Sequence, residues 1–149
     1  MTHNQGRAAS AQNPGVHVSM TPETMRQDGL MAVNPTGADM KAFLAVDADE
    51  PIVMLNLLRF AEGGAERYDA YIAHFRPFAE KVGATVVYFG HGADPIVAEH
   101  GQGWDAVLLV SYPSRRAFSD MVRDPGYQEG THLRTEALVE ALLQPTVPR

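Results

Sequence analysis

The sequence predicts an α+β domain whose elements run strand, helix, strand, strand, helix, strand. Three observations predict it. Residues 51–60 and 104–112 are apolar on both alternating faces, as expected of strands covered on both sides. Residues 65–82 carry an apolar stripe at three- and four-residue steps, which marks an amphipathic helix. Glycine, proline and aspartate clusters punctuate the chain between these segments. That element order is the ferredoxin-like split βαβ arrangement.

A chain of 149 residues fits one domain with a sizeable core. Its 45% hydrophobic and 20% charged content are those of a soluble globule. The net charge of −6 argues against nucleic acid, whose binding needs clustered Lys and Arg. With no cysteine, the chain has neither disulfide nor thiolate chemistry, which is compatible with a reducing cytoplasm. No apolar run is long enough to predict a membrane span, and the N-terminus lacks the pattern of a signal peptide.

Residues 1–33 contain no Phe, Trp or Tyr and are rich in small and polar residues. They have little apolar area to offset the entropy of ordering, so a flexible arm is predicted, with a single domain over residues 34–149. Asn34-Pro35 starts the folded part. Thr36 and Asp39 have the spacing of a capping box, and Met40, Phe43 and Leu44 follow at helical spacing, so a helix is expected over residues 37–45.

The strand at residues 51–60 places Val53, Leu55 and Leu57 on one face and Ile52, Met54 and Leu58 on the other. Asn56 and Arg59 are the polar interruptions, and polar groups on a buried strand need partners. Tyr68, Ile72, Phe75, Ala79 and Val82 form the stripe of the next helix, with Gly83 placed to end it. Pro77 inside this helix predicts a bend near residues 73–77. His74 falls on the opposite side and is read as a solvated surface histidine.

Residues 84–91 read as the second strand, rich in Val, Tyr and Phe. Residues 95–99 form a short apolar piece, read as a small β extension. After the third strand, Ser114 is placed as the N-cap of a helix burying Ala117, Phe118, Met121 and Val122. Asp124-Pro125 opens a turn or short helix. Residues 131–140 read as a helix, and residues 141–147 as a short edge strand limited by Pro145 and Pro148.

One layer of helices covers only one face of such a sheet. The second face is also apolar, so a homodimer formed by sheet-to-sheet packing is expected.

Candidate site residues are polar or amphipathic groups on otherwise apolar elements. Asn56, Arg59, Tyr88, His91, Trp104 and His132 are expected to border one cavity, and Tyr112 and Arg134 belong to the same candidate set. His91, Asn56 and His132 are the catalytic candidates. Histidine titrates near neutral pH, which suits a general base. Arg59, Tyr88, Trp104, Tyr112 and Arg134 are the binding candidates. An arginine can clamp a carboxylate or stabilise an enolate. Period-two alternation sends Asn56 and Arg59 to opposite faces unless the strand bulges near Arg59. His91 with Glu99 and His100 could in principle hold a metal, but exposed His and Glu at a turn are commoner than a metal site. No metal or cofactor is expected.

Several stretches resemble one family. MLNLLRF, the helix containing Tyr68-Asp69-Ala70-Tyr71, WDAVLLVSYPSRRAF and DPGYQEGTHLRTEAL are similar to the DUF1330 family, over residues 51–145, with residues 34–50 as a lead-in. The resemblance implies a dimeric α/β barrel, a superfamily that includes antibiotic-biosynthesis monooxygenases and muconolactone isomerases. It implies a cofactor-independent enzyme acting on a small carbonyl or aromatic substrate, monooxygenase-, isomerase- or lyase-like. The alternative is a non-catalytic ligand-binding or dimeric structural module.

Overall fold

The computed structural model describes residues 33–149. Four strands, β1 (Ile52–Phe60), β2 (Thr85–His91), β3 (Ala106–Tyr112) and β4 (Leu138–Thr146), form one antiparallel sheet in the order β2-β3-β1-β4. Helices α1 (Gly37–Val46), α2 (Gly64–Lys81), α3 (Arg115–Arg123), α4 (Pro125–Gln128) and α5 (Thr131–Ala137) complete the chain. This is the ferredoxin-like topology, with β1 and β3 paired at the centre.

The alternation of β1 is strict. Ile52, Met54, Asn56 and Leu58 are buried on the helix side, while Val53, Leu55 and Leu57 are half-buried on the other. β3 repeats the pattern, with Ala106, Leu108, Val110 and Tyr112 buried. In register, Asn56 faces Leu108 on β3 and Leu143 on β4, so these three share the helix-covered face. Leu57 pairs with Val107 and Leu142 on the open face.

Helix α2 covers the sheet with Tyr68, Tyr71, Ile72, Phe75 and Ala79, and Pro77 lies within its continuous span. Tyr71 extends the expected stripe, three residues after Tyr68 and four before Phe75. Gly64 opens the helix where no side chain fits: a Cβ there would collide with the Ala137 carbonyl oxygen. The Thr36–Asp39 capping box has both of its hydrogen bonds, at 3.1 and 2.8 Å. Ser114 accepts from Ala117 N, and Asp124 from Gly126 N, capping α3 and α4.

Three expectations are corrected. Residues 95–99 form no strand, and Ile96 and Val97 stand fully or almost fully exposed. The last helix stops at Ala137 instead of residue 140, because Leu138 already pairs with Phe60 and Glu140 with Arg59 across β1. His74 is half-buried. Its Nε2 lies 2.9 Å from the Tyr127 carbonyl oxygen, and its ring packs 5.1 Å from Phe78.

Val33 is buried in the core, and its carbonyl accepts from Arg134. The remainder of the expected arm, residues 1–32, lies outside the described residues.

Candidate functional site

Between the sheet and its helices lies a cavity of about 200 Å³. Its floor is the helix-facing side of β1 and β3: Met54, Asn56, Leu108, Val110 and Tyr112. Period-two alternation puts these side chains on one face, and the small volume they leave below α2 is the cavity. Its roof is aromatic, from Tyr68, Tyr71 and Phe75 on α2, Phe118 on α3 and Tyr127 on α4. Arg134 on α5 and Asn34 before α1 close one end. Past Asn34 and Pro35 a second, more open cavity of about 510 Å³ runs beneath α1 and shares Met54, Phe118 and Leu143 with the first.

The polar inventory is specific. Tyr71 Oη and Tyr127 Oη lie 2.7 Å apart, so this pair satisfies itself. Asn56 Nδ2 donates to the Leu108 carbonyl at 3.3 Å. Two buried polar atoms have no hydrogen-bond partner among the described residues: Tyr68 Oη and Arg134 Nη2. The Arg134 guanidinium lies beside the Tyr68 hydroxyl and opposes the rise of its pKa by its charge and by a hydrogen-bonding contact, but no bond between the two has ordinary hydrogen-bond geometry. Leaving such groups unpaired typically costs about 1–3 kcal/mol each, more when the group is charged.

Burial dominates the electrostatics. It pushes the Tyr68 phenol up to about 12, against the opposing pull of Arg134. Burial likewise raises Tyr71 and Tyr112 well above the ordinary phenol value, and neighbouring Tyr127 adds to both shifts. Tyr127 is raised by burial as well, less so because Tyr71 and Arg134 oppose it. All four phenols are therefore neutral O–H groups at physiological pH, able to donate a hydrogen bond and ill-suited to accept a proton.

The candidate residues divide by face. Asn56, Tyr112 and Arg134 line the cavity. Arg59 and Tyr88 lie on the open side of the sheet, as the pairings of Arg59 with Glu140 and of Tyr88 with Leu109 require. The only register shift near Arg59 falls between it and Phe60, and it does not turn Arg59 toward Asn56. Arg59 instead bonds Glu140 Oε1 at 2.8 Å, donates to the carbonyls of Gly101 and Gly103, and stacks 4.5 Å over Trp104. This clamp fixes the loop between β2 and β3. His91 and His132 are exposed and line neither cavity. The six residues expected around one cavity are thus not brought together. Among the described residues, no group of three His, Asp or Glu side chains is arranged to hold a metal.

Tyr68, expected only in the packing stripe, and Tyr71 and Tyr127, present only in the stretches that resemble the family, are lining residues outside the candidate set. The available signal was their density: two tyrosines one helical turn apart on the buried stripe, in a chain with five in total. A pure packing stripe has no need of hydroxyls.

The fold is that of a ferredoxin-like α+β protein, with a partly open cavity between sheet and helices. The chain belongs to the DUF1330 family: the profile of that domain of unknown function matches residues 61–143. A crystal structure of a protein of unknown function from Rhodopseudomonas palustris is 33% identical, covering 80% of this chain and 98% of that one, with a TM-score of 0.73. More distant structures share the fold. A dimeric ferredoxin-like protein of unknown function from Jannaschia sp. CCS1 is 14% identical over 66% of this chain and 99% of its own, with a TM-score of 0.52. The hydroxynitrile lyase from Passiflora edulis is 13% identical over 68% of this chain and 95% of its own, with a TM-score of 0.53. No curated protein matches the sequence. No helix among the described residues is long and apolar enough to cross a membrane.

Proposed function

We propose that this protein is a cofactor-independent enzyme that takes a small carbonyl compound into the cavity between sheet and helices. The observation that carries this reading is a pair of buried donors without a hydrogen-bond partner among the described residues, Tyr68 Oη and Arg134 Nη2, on two residues that line the same space of about 200 Å³. An engineered apolar cavity of roughly 150 Å³ accepts benzene, so this one suits a single ring or a short branched chain. A carbonyl oxygen accepting from Tyr68 gains most as negative charge develops on it, which is how an oxyanion site lowers a barrier. The chemistry supported is polarisation of a carbonyl and stabilisation of its enolate.

One observation favours the alternative of a binding module. Among the described residues no His, Asp or Glu lines this cavity, so a general base from these residues is lacking and would have to come from the substrate or from solvent. The test separates the two. Small cyclic ketones and 2-oxo acids are incubated with the protein in D2O, and α-proton exchange is followed by NMR together with ligand binding. Accelerated exchange that is lost in Tyr68→Phe supports the enzyme. Binding without exchange leaves the binding module, and no binding by any member of the panel overturns both.

The protein is also proposed to act as a homodimer through the open sheet face. The half-exposed side chains of Val53, Leu55, Leu57, Val107, Leu109 and Leu142 support it.

A further inference from the structure

Arg134 is buried, at 6% exposure, and has no carboxylate partner among the described residues. Its Nη1 donates to two neutral acceptors, the Val33 carbonyl and Asn34 Oδ1, the latter at 2.7 Å. Its Nη2 has no partner among the described residues. The other two inward-packed arginines among the described residues differ. Arg115 is equally buried, and its Nε meets Glu50 Oε1 at 3.0 Å. Half-buried Arg59 meets Glu140 Oε1 at 2.8 Å. Among the described residues, Arg134 is also the one charged residue lining the 200 Å³ cavity. A buried charge without a counter-ion is costly, and the usual resolutions are pairing or neutralisation. A guanidinium does not give up its proton in proteins, so only pairing remains.

We infer that the cavity's occupant is an anion, specifically a small planar carboxylate, with one oxygen taking the free N–H of Arg134 Nη2 and the acid's body lying against the aromatic roof. This rests on the cavity being the functional site and narrows its substrate to the acids among carbonyl compounds. The roof supplies ring faces from Tyr71, Phe75, Phe118 and Tyr127, which suit an aromatic or conjugated acid. The four buried phenols remain protonated near neutrality and so present donors, not competing negative charge. The overall charge of −6 works against long-range capture of an anion, so discrimination must come from contact inside the cavity.

The experiment uses the full chain and three ring-sized probes of nearly one shape: benzoate, benzamide and benzyl alcohol. Binding is measured by calorimetry near pH 7.5 in a buffer of low chloride content. Benzoate is expected to bind at least about tenfold more tightly than either neutral probe, in line with a charge-assisted bond to a buried guanidinium. In Arg134→Met that preference is expected to vanish while the neutral probes still bind. Equal binding of all three by the wild-type protein overturns the anion and leaves the cavity as a site for neutral molecules. Binding of none overturns the cavity as a site altogether. A benzoate preference that survives Arg134→Met also overturns the assignment to Arg134. The wild-type comparison decides the anion question alone if Arg134→Met does not fold.

Discussion

Tyr71 and Tyr127 share a hydrogen bond of 2.7 Å between their phenol oxygens, at the point where α4 meets α2. Their rings meet edge to face, 6.3 Å apart. The bond ties the short turn of helix after α3 to the longest helix of the fold and closes the cavity roof. Removing one hydroxyl leaves the other buried and unpaired. Tyr71→Phe is therefore expected to cost about 1–3 kcal/mol by urea unfolding. The double variant Tyr71→Phe/Tyr127→Phe should cost less than the sum of the two single variants, since no orphan remains. Additive losses would mean that the hydroxyls act independently.

Alkali should destabilise the protein through the same cluster. The Tyr68 phenol is raised to about 12 by burial, above the ordinary value of 10.0, and burial also raises Tyr71 and Tyr112 well above it. Between these values the unfolded chain has released the proton and the native state still holds it. The slope of stability with pH is then negative: the contribution is whole below about pH 10 and lost as pH rises toward 12. Urea midpoints should fall over that window. Phenolate absorbance from the four buried tyrosines should appear only with unfolding. Its appearance in a protein with native circular dichroism contradicts the burial.

The ferredoxin-like order was legible because the signals were local. Both central strands are apolar on both faces, and α2 is one long stripe. The start of β4 was not legible. Leu133, Ala137 and Leu138 fit a helix equally well, and only pairing of Leu138 with Phe60 decides for strand. Of the site, Asn56, Tyr112 and Arg134 could be found because a polar group on an apolar element needs a partner. His91 and His132 were chosen for titrating near neutrality, a property of the residue type that says nothing of position. Both are exposed, which only tertiary structure decides.

Glu50 and Arg115 make a more conventional, partly buried pair. Arg115 opens α3, where a positive charge opposes the helix dipole, and it stays there because Glu50 Oε1, the Phe43 carbonyl and the Phe43 ring surround it. Glu50→Gln keeps an acceptor but removes the counter-charge. A loss of about 1–3 kcal/mol is expected, held below the figure for fully buried pairs because a quarter of the Glu50 side chain meets water. Thermal unfolding reads it as a fall of several degrees. An unchanged midpoint would show that Arg115 is held by Phe43 alone.

Gly64 tests the packing of α2 against the end of α5. Alanine improves intrinsic helix propensity, so at an open site Gly64→Ala would stabilise the helix. Here the added methyl meets the Ala137 carbonyl oxygen and the Phe60 side chain. That carbonyl already accepts from Ala61 N at 2.8 Å and cannot retreat freely. Overpacking of this kind costs about 1–3 kcal/mol, which outweighs the propensity gain. A stabilised variant would mean that α2 can shift away from α5.

Leu57 tests the homodimer. It is half-buried on the open face between Val107 and Leu142, while the helices lie on the other side of the sheet. In an isolated subunit, replacing such a side chain with a charged one changes stability little, since surface substitutions usually fall within about 0.5 kcal/mol. Against a second sheet the same change buries a carboxylate without a partner, at a cost of several kcal/mol at each of two symmetric positions. Light scattering at micromolar concentration should therefore give twice the chain mass for the wild type and a lower average mass for Leu57→Glu. A monomeric wild type removes the dimer. A Leu57→Glu variant that remains fully dimeric moves the interface off this face, because no arrangement that covers Leu57 leaves room for two uncompensated carboxylates.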